Sequence, residues 1–167
     1  MKRYSYLGPV GTFTWEALGQ VSDAQGQEWV SVHNVGEALD DVLSDRSDYA
    51  MIAIENSIEG GVSATQDALA MAPELRIVGE YMVPVRFVLA VKPGRGLSDV
   101  TTVAAHAVAY AQCRGWLEAN LPQHSHVPAR SNVHAAQSII DEGIADAAIA
   151  PPGITKHAGV DVVAENI

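Results

Sequence analysis

Short apolar runs alternate with stretches of helical period along almost the whole chain, and this alternation limits the fold more than any single motif. Strand-length runs lie at 4–7, 30–32, 49–54, 76–82, 85–91, 101–105, 127–129, 145–150 and 160–164. Between them apolar residues recur at three- and four-residue spacing, and capping residues stand where helices should open. Thr12 precedes a helix expected to run towards Gly19. Asn34, with Glu37 after it, opens one that continues through Leu43. Ser63 and Gln66 have capping-box spacing ahead of Ala68, Leu69 and Met71. Further helices are expected at 108–120 and 133–142, and a short one up to His157. Strands alternating with helices predict an α/β architecture with mostly parallel sheets. The runs at 49–54 and 145–150 are near-continuous, as expected for strands buried on both faces.

The alternation breaks once. The runs at 76–82 and 85–91 follow one another, separated by Pro84. That step predicts a crossing between two similar lobes, 1–80 and 81–167. Ligands of open α/β sheets sit at the carboxyl ends of the strands, so a cleft between the lobes is the expected pocket.

Composition removes several classes of function. The 167 residues are 48% hydrophobic, too apolar for a disordered chain. A single cysteine, Cys113, excludes a disulfide scaffold. The apolar runs are too short to span a membrane. The charged N-terminus has no long apolar stretch behind it, so no signal peptide is expected and a cytoplasmic location is. With 20 acidic residues against 10 basic, net −10, the surface repels phosphate backbones, and no nucleic-acid partner is expected. An anionic small molecule would have to be met by local positive potential, such as helix N-termini.

Several loops carry candidate chemistry. Gly8, Pro9, Val10, Gly11 and Thr12 join a strand to a helix; this is either a plain tight turn or an anion site. Glu55, Asn56 and Ser57 follow the run at 49–54, within a polar loop at 55–61. An Asn there can donate to a ligand, and a Glu can anchor the loop or act as an acid or base. His106 follows another strand and could serve acid–base work or cap the loop. Cys113 reads as a small core residue, because no activating partner stands near it. His124 and His126 form a His-x-His pair, which is either a metal pair or a surface loop. Asn132 reads as an N-cap, with or without N–H groups offered to a ligand. Asp40, Asp41 and the stretch at 45–48 read as a solvated helix face and loop.

Taken together, these loops resemble the prephenate dehydratase family. The matching stretches are 6–14, 54–62, His106 with 109–117, 127–131, and 147–150 with 164–167, in the family's order across essentially the whole chain. The resemblance implies a two-lobed catalytic domain like type II periplasmic binding proteins. It implies conversion of prephenate to phenylpyruvate, with loss of water and CO2, in phenylalanine biosynthesis, with no metal or organic cofactor and with room for a homodimer. Carried over by motif position, Glu55, Asn56, Gln112 and His106 are the implied catalytic residues. Gly11, Thr12, Phe13, Ser57, Ser131 and Asn132 are the implied substrate contacts. Ala105 and Ala107 stand where the family has Ser and Pro around the His. The family continues to a Thr-Arg-Phe motif and an ACT-type regulatory domain, so a truncated domain of low or no activity is expected. The rival reading is a non-catalytic periplasmic-binding-like module for an aromatic or dicarboxylic ligand.

Overall fold

The computed structural model describes residues 1–58 and 60–167. They divide between two compact units, Met1–Val83 and Pro84–Ile167.

The first unit contains β1 (Arg3–Leu7), α1 (Phe13–Leu18), β2 (Glu28–Val32), α2 (Val35–Leu43), β3 (Tyr49–Met51), the short strands β4 (Glu55–Asn56) and β5 (Gly60–Gly61), and α3 (Ser63–Ala70). Its main sheet has the order β2-β1-β3, parallel throughout. Side chains alternate along β1, so Tyr4 and Tyr6 face one way and Ser5 the other, and all three are buried. Tyr4 and Tyr6 pack with Leu18 and Ala24, flanked by Trp15, Trp29, Tyr49 and Met51. The Tyr4 and Tyr49 rings stack at 5.0 Å, and the Trp29 Nε1–H donates to the Ala24 carbonyl at 2.8 Å. These large rings thus bury area while keeping their polar atoms satisfied.

Behind β1 the packing is polar. Ser5 donates to Asp41 Oδ2 at 2.7 Å, and its hydroxyl lies 2.7 Å from that of Ser47. Arg46 Nε donates to Asp41 Oδ1 at 2.8 Å. The Ser5 hydroxyl first, and then Arg46, hold the Asp41 carboxyl below its ordinary range. Asp40 is the exposed member of the pair, but Asp41 is buried, which corrects the expectation of a wholly solvated face. The carboxylate is tolerated there because both oxygens are hydrogen-bonded.

The second unit contains β6 (Val88–Val91), β7 (Thr102–Ala105), α4 (Ala107–Asn120), β8 (Ser125–Pro128), α5 (Asn132–Asp141), β9 (Ala147–Ala150), α6 (Thr155–Ala158) and β10 (Asp161–Glu165). The sheet order is β10-β6-β9-β7-β8. β7 runs parallel to both β8 and β9, while β6 runs against β9 and β10. Every residue of β6 and β9 is buried. Val133, Ala135, Ala136 and Ile139 of α5 share one core with Val88, Ala90, Ala104, Ala148 and Ala150. The alanines let the helix seat close to the strands at the density of a packed interior. α4 buries one stripe, Ala109, Cys113 and Leu117. Asp146 ties the start of β7 to that of β9. Its Oδ2 accepts from the backbone N–H and the hydroxyl of both Thr101 and Thr102, at 2.8–3.0 Å.

Several expectations need correcting. The run at 49–54 forms a strand only at Tyr49–Met51, and it is half-buried, because β3 is the sheet edge and pairs with β1 alone. The stretch 76–82 forms no strand; Ile77, Val78 and Met82 are exposed, and among the described residues no strand pairs with them, the Met82 carbonyl accepting instead from Gln20 Nε2 at 3.0 Å. From the run at 85–91 only Val88–Val91 is a strand. Ser63 does not cap α3, which starts from Val62 without a side-chain cap. Asn132 is the first residue of α5, and Ser131 is its N-cap. Among the described residues no helix is long and apolar enough to cross a membrane.

Candidate active site

In the first unit the candidate loops leave the carboxyl ends of adjacent parallel strands, β1 and β3. Gly8 continues the pairing with β2, its N–H donating to Val32 O at 3.0 Å. A Cβ there would fall 1.7 Å from Ser31 Oγ, so only glycine fits so close an approach. Gly11 turns the chain with φ +89°, in the left-handed region. Thr12 then caps α1. Its hydroxyl donates to Leu7 O at 3.0 Å and accepts from Trp15 N at 3.3 Å. Thr14, which the sequence did not single out, also donates to Leu7 O. Thr12 therefore acts by holding the turn, its hydroxyl already committed. Phe13, half-buried, opens the helix beside it.

Glu55 and Asn56 do not follow β3 directly. They form β4, which pairs antiparallel with β5, Glu55 opposite Gly61 and Asn56 opposite Gly60. The expected polar loop is thus a small hairpin on the way to α3. Asn56 Oδ1 accepts from Ile58 N at 2.9 Å and closes the turn. Thr65, fully buried on α3, donates to Ala53 O at 2.6 Å and anchors the approach to the hairpin. Asn56 is half-buried, while Glu55 and Ser57 are exposed and open to solvent or to a ligand.

In the second unit His106 and the Ser131–Asn132 turn leave the carboxyl ends of β7 and β8, which are also adjacent and parallel. His106 N-caps α4, with Nδ1 accepting from Val108 N at 3.4 Å. An accepting Nδ1 leaves the proton of the neutral ring on Nε2, so Nε2 is the donor of the His106 ring. The backbone N–H of His106 donates to Asn132 Oδ1 at 3.0 Å, which locks the two turns together. Ser131 Oγ accepts from His134 N at 3.0 Å and caps α5. Gln112 lies further along α4. Its Nε2 is buried and meets no hydrogen-bond acceptor among the described residues. A buried donor without a partner is costly, and a ligand oxygen would relieve that cost. Next to it, burial pushes the Cys113 thiol up to about 11, so it stays protonated at neutral pH.

His124 and His126 do not form a metal pair. Each engages Tyr110, the first through the phenol oxygen and the second by ring stacking. Among the described residues no group of three or more His, Cys, Asp or Glu side chains could hold a metal ion.

A family model described as prephenate dehydratase matches residues 4–167. A prephenate dehydratase of Mycobacteroides abscessus is 39% identical over 173 residues, covering all of this chain and 56% of the relative. The crystal structure of prephenate dehydratase from Arthrobacter aurescens, in complex with L-Phe, superposes with a TM-score of 0.90 at 44% identity. It covers 99% of this chain and 55% of that one. A protein described as GqqA, a novel type of quorum quenching acylase, superposes at 0.83 with 27% identity, covering 99% of this chain and 59% of its own. One fold thus carries more than one activity, and the fold alone does not decide between them. The chain spans about half the length of the curated relatives it matches. With residues 4–167 matched by a single family model, the chain belongs to the prephenate dehydratase family.

Proposed function

We propose that this chain binds prephenate and serves its conversion to phenylpyruvate, with loss of water and CO2, in the cytoplasmic synthesis of phenylalanine. The observation that carries this reading is the family match across the whole run of candidate loops, from β1 to β10. The chemistry suits those loops. Prephenate is a dicarboxylate, and loss of CO2 and hydroxide makes its ring aromatic, so the driving force already lies in the substrate. The protein's task is to orient the anion, exclude water and help the hydroxide leave.

Each loop has a distinct part in this reading. Gly8, Gly11 and Thr12 hold the turn ahead of α1, with Phe13 as an apolar wall. Asn56 and Ser57 contact substrate from the hairpin turn, and Glu55 is the group there that can exchange a proton. His106 donates from Nε2, while Ser131 and Asn132 fix the turn beside it. Gln112 Nε2, buried and without an acceptor among the described residues, supplies a further donor to a substrate oxygen.

Calorimetric titration with prephenate tests the reading. The wild-type chain should bind, and Gln112→Met, which keeps length and loses the donor, should weaken binding about tenfold or more. Absence of wild-type binding, or equal binding by Gln112→Met, would overturn the assignment.

A further inference from the structure

Tyr110, His124 and His126 form a packed group that the loops named above do not include. The Tyr110 and His126 rings stack, with centroids 3.9 Å apart and planes 10° from parallel. The proton positions follow from the partners. His126 Nε2 lies 3.0 Å from Ala105 O, and a carbonyl only accepts, so that nitrogen carries a hydrogen. His124 Nδ1 lies 2.6 Å from Leu121 O and donates for the same reason. In neutral His124 the other nitrogen is then an acceptor, so the Tyr110 hydroxyl donates to His124 Nε2 at 2.9 Å.

The peptide unit that this group reaches is the one between Ala105 and His106. Its carbonyl takes two donors, Ala129 N–H at 3.0 Å in the β7–β8 ladder and His126 Nε2–H at 3.0 Å. Its N–H donates to Asn132 Oδ1 at 3.0 Å. The plane is thus held at both ends, and its orientation sets the backbone angles from which the His106 ring projects. Tyr110, whose N–H bonds to the His106 carbonyl at 3.0 Å, lies one turn further along α4 and carries the surface on which His126 rests.

We propose that His126 is a positioning residue for His106. Held flat on Tyr110, it clamps the Ala105 carbonyl and so fixes the tautomer and aim of the His106 ring. The benefit to substrate handling rests on the reading of His106 as a substrate contact; the clamp itself does not.

Long-range proton–nitrogen spectra of the imidazoles, together with prephenate calorimetry, test the proposal on the intact chain. Wild type should show His106 as a single Nε2–H tautomer. His126→Phe keeps a ring on Tyr110 and removes the donor. It should give His106 signals of mixed tautomers and weaken prephenate binding about fivefold, the worth of one hydrogen bond. His126→Gln, whose amide reaches the same carbonyl, should restore the single tautomer and most of the affinity. An unchanged His106 signature in His126→Phe, or His126→Gln behaving like His126→Phe, overturns the proposal. Should His126→Phe fail to fold, Tyr110→Leu takes its place: shifted His106 signals support the clamp, and unshifted ones overturn it. If wild type binds no prephenate, the functional reading fails, and the spectra alone decide the clamp.

Discussion

Asp146 shows how much one side chain holds in this chain. Burial alone would push its carboxyl up, but the four hydrogen bonds from Thr101 and Thr102 outweigh that and hold it down to about 2, against an ordinary 3.8. A carboxylate whose folded-state pKa is depressed stabilises the fold above its unfolded pKa. That contribution disappears as pH falls from about 4 to 2. Asp146→Asn should therefore cost about 1–2 kcal/mol at pH 7, allowing for water around a half-buried group. Denaturation curves should show the gap unchanged down to pH 5 and shrinking by pH 3; a gap that persists at pH 3 contradicts the assignment. The sequence shows Asp146 only as an acid before a strand, because its partners lie more than 40 residues away. The Ser5–Asp41–Ser47 group was hidden for the same reason. Thr12 was legible because a cap and its partner are near neighbours in sequence.

Among the secondary-structure elements, helices were read more faithfully than strands. Asn34 accepts from Glu37 N at 2.9 Å, and Glu37 in turn accepts from His33 N at 2.8 Å, close to the spacing expected from sequence. A helix closes its own hydrogen bonds, so local sequence suffices. A strand exists only with a partner, and β propensity is realised only where a neighbour and a covered face are supplied. Residues 76–82 have the pattern but no partner strand among the described residues; the edge strand β3 is cut short for want of a second one. The hairpin β4–β5 was missed because two-residue strands leave no period to detect. The α5 cap gives this scale its prediction. Ser131→Ala removes the acceptor for His134 N and should cost about 1 kcal/mol, with Ser131→Thr recovering most of it. Equal denaturation midpoints for Ser131→Ala and wild type would show that the cap contributes nothing.

In the molecule as a whole, each unit places a candidate turn at the carboxyl end of a parallel strand, residues 8–12 after β1 and His106 after β7, where α/β sheets keep their ligands. The α/β class with mostly parallel sheets was legible from the alternation of apolar periods. The family was legible from short motifs in order across the chain, and the match over residues 4–167 supports it. What sequence could not supply is which polar groups are already spent. Ser131 holds a helix cap that the sequence assigned to Asn132, whereas Gln112 keeps a buried donor without an acceptor among the described residues. That inventory is the structural content behind the proposed function, since a dicarboxylate must be met by local N–H groups in a chain of net charge −10. The most direct measurement is to incubate the chain with prephenate at neutral pH and follow phenylpyruvate by absorbance. The account predicts phenylpyruvate formed at a low rate, as expected of about half the length of the relatives, but faster than in buffer; a rate no higher than the spontaneous one would contradict it.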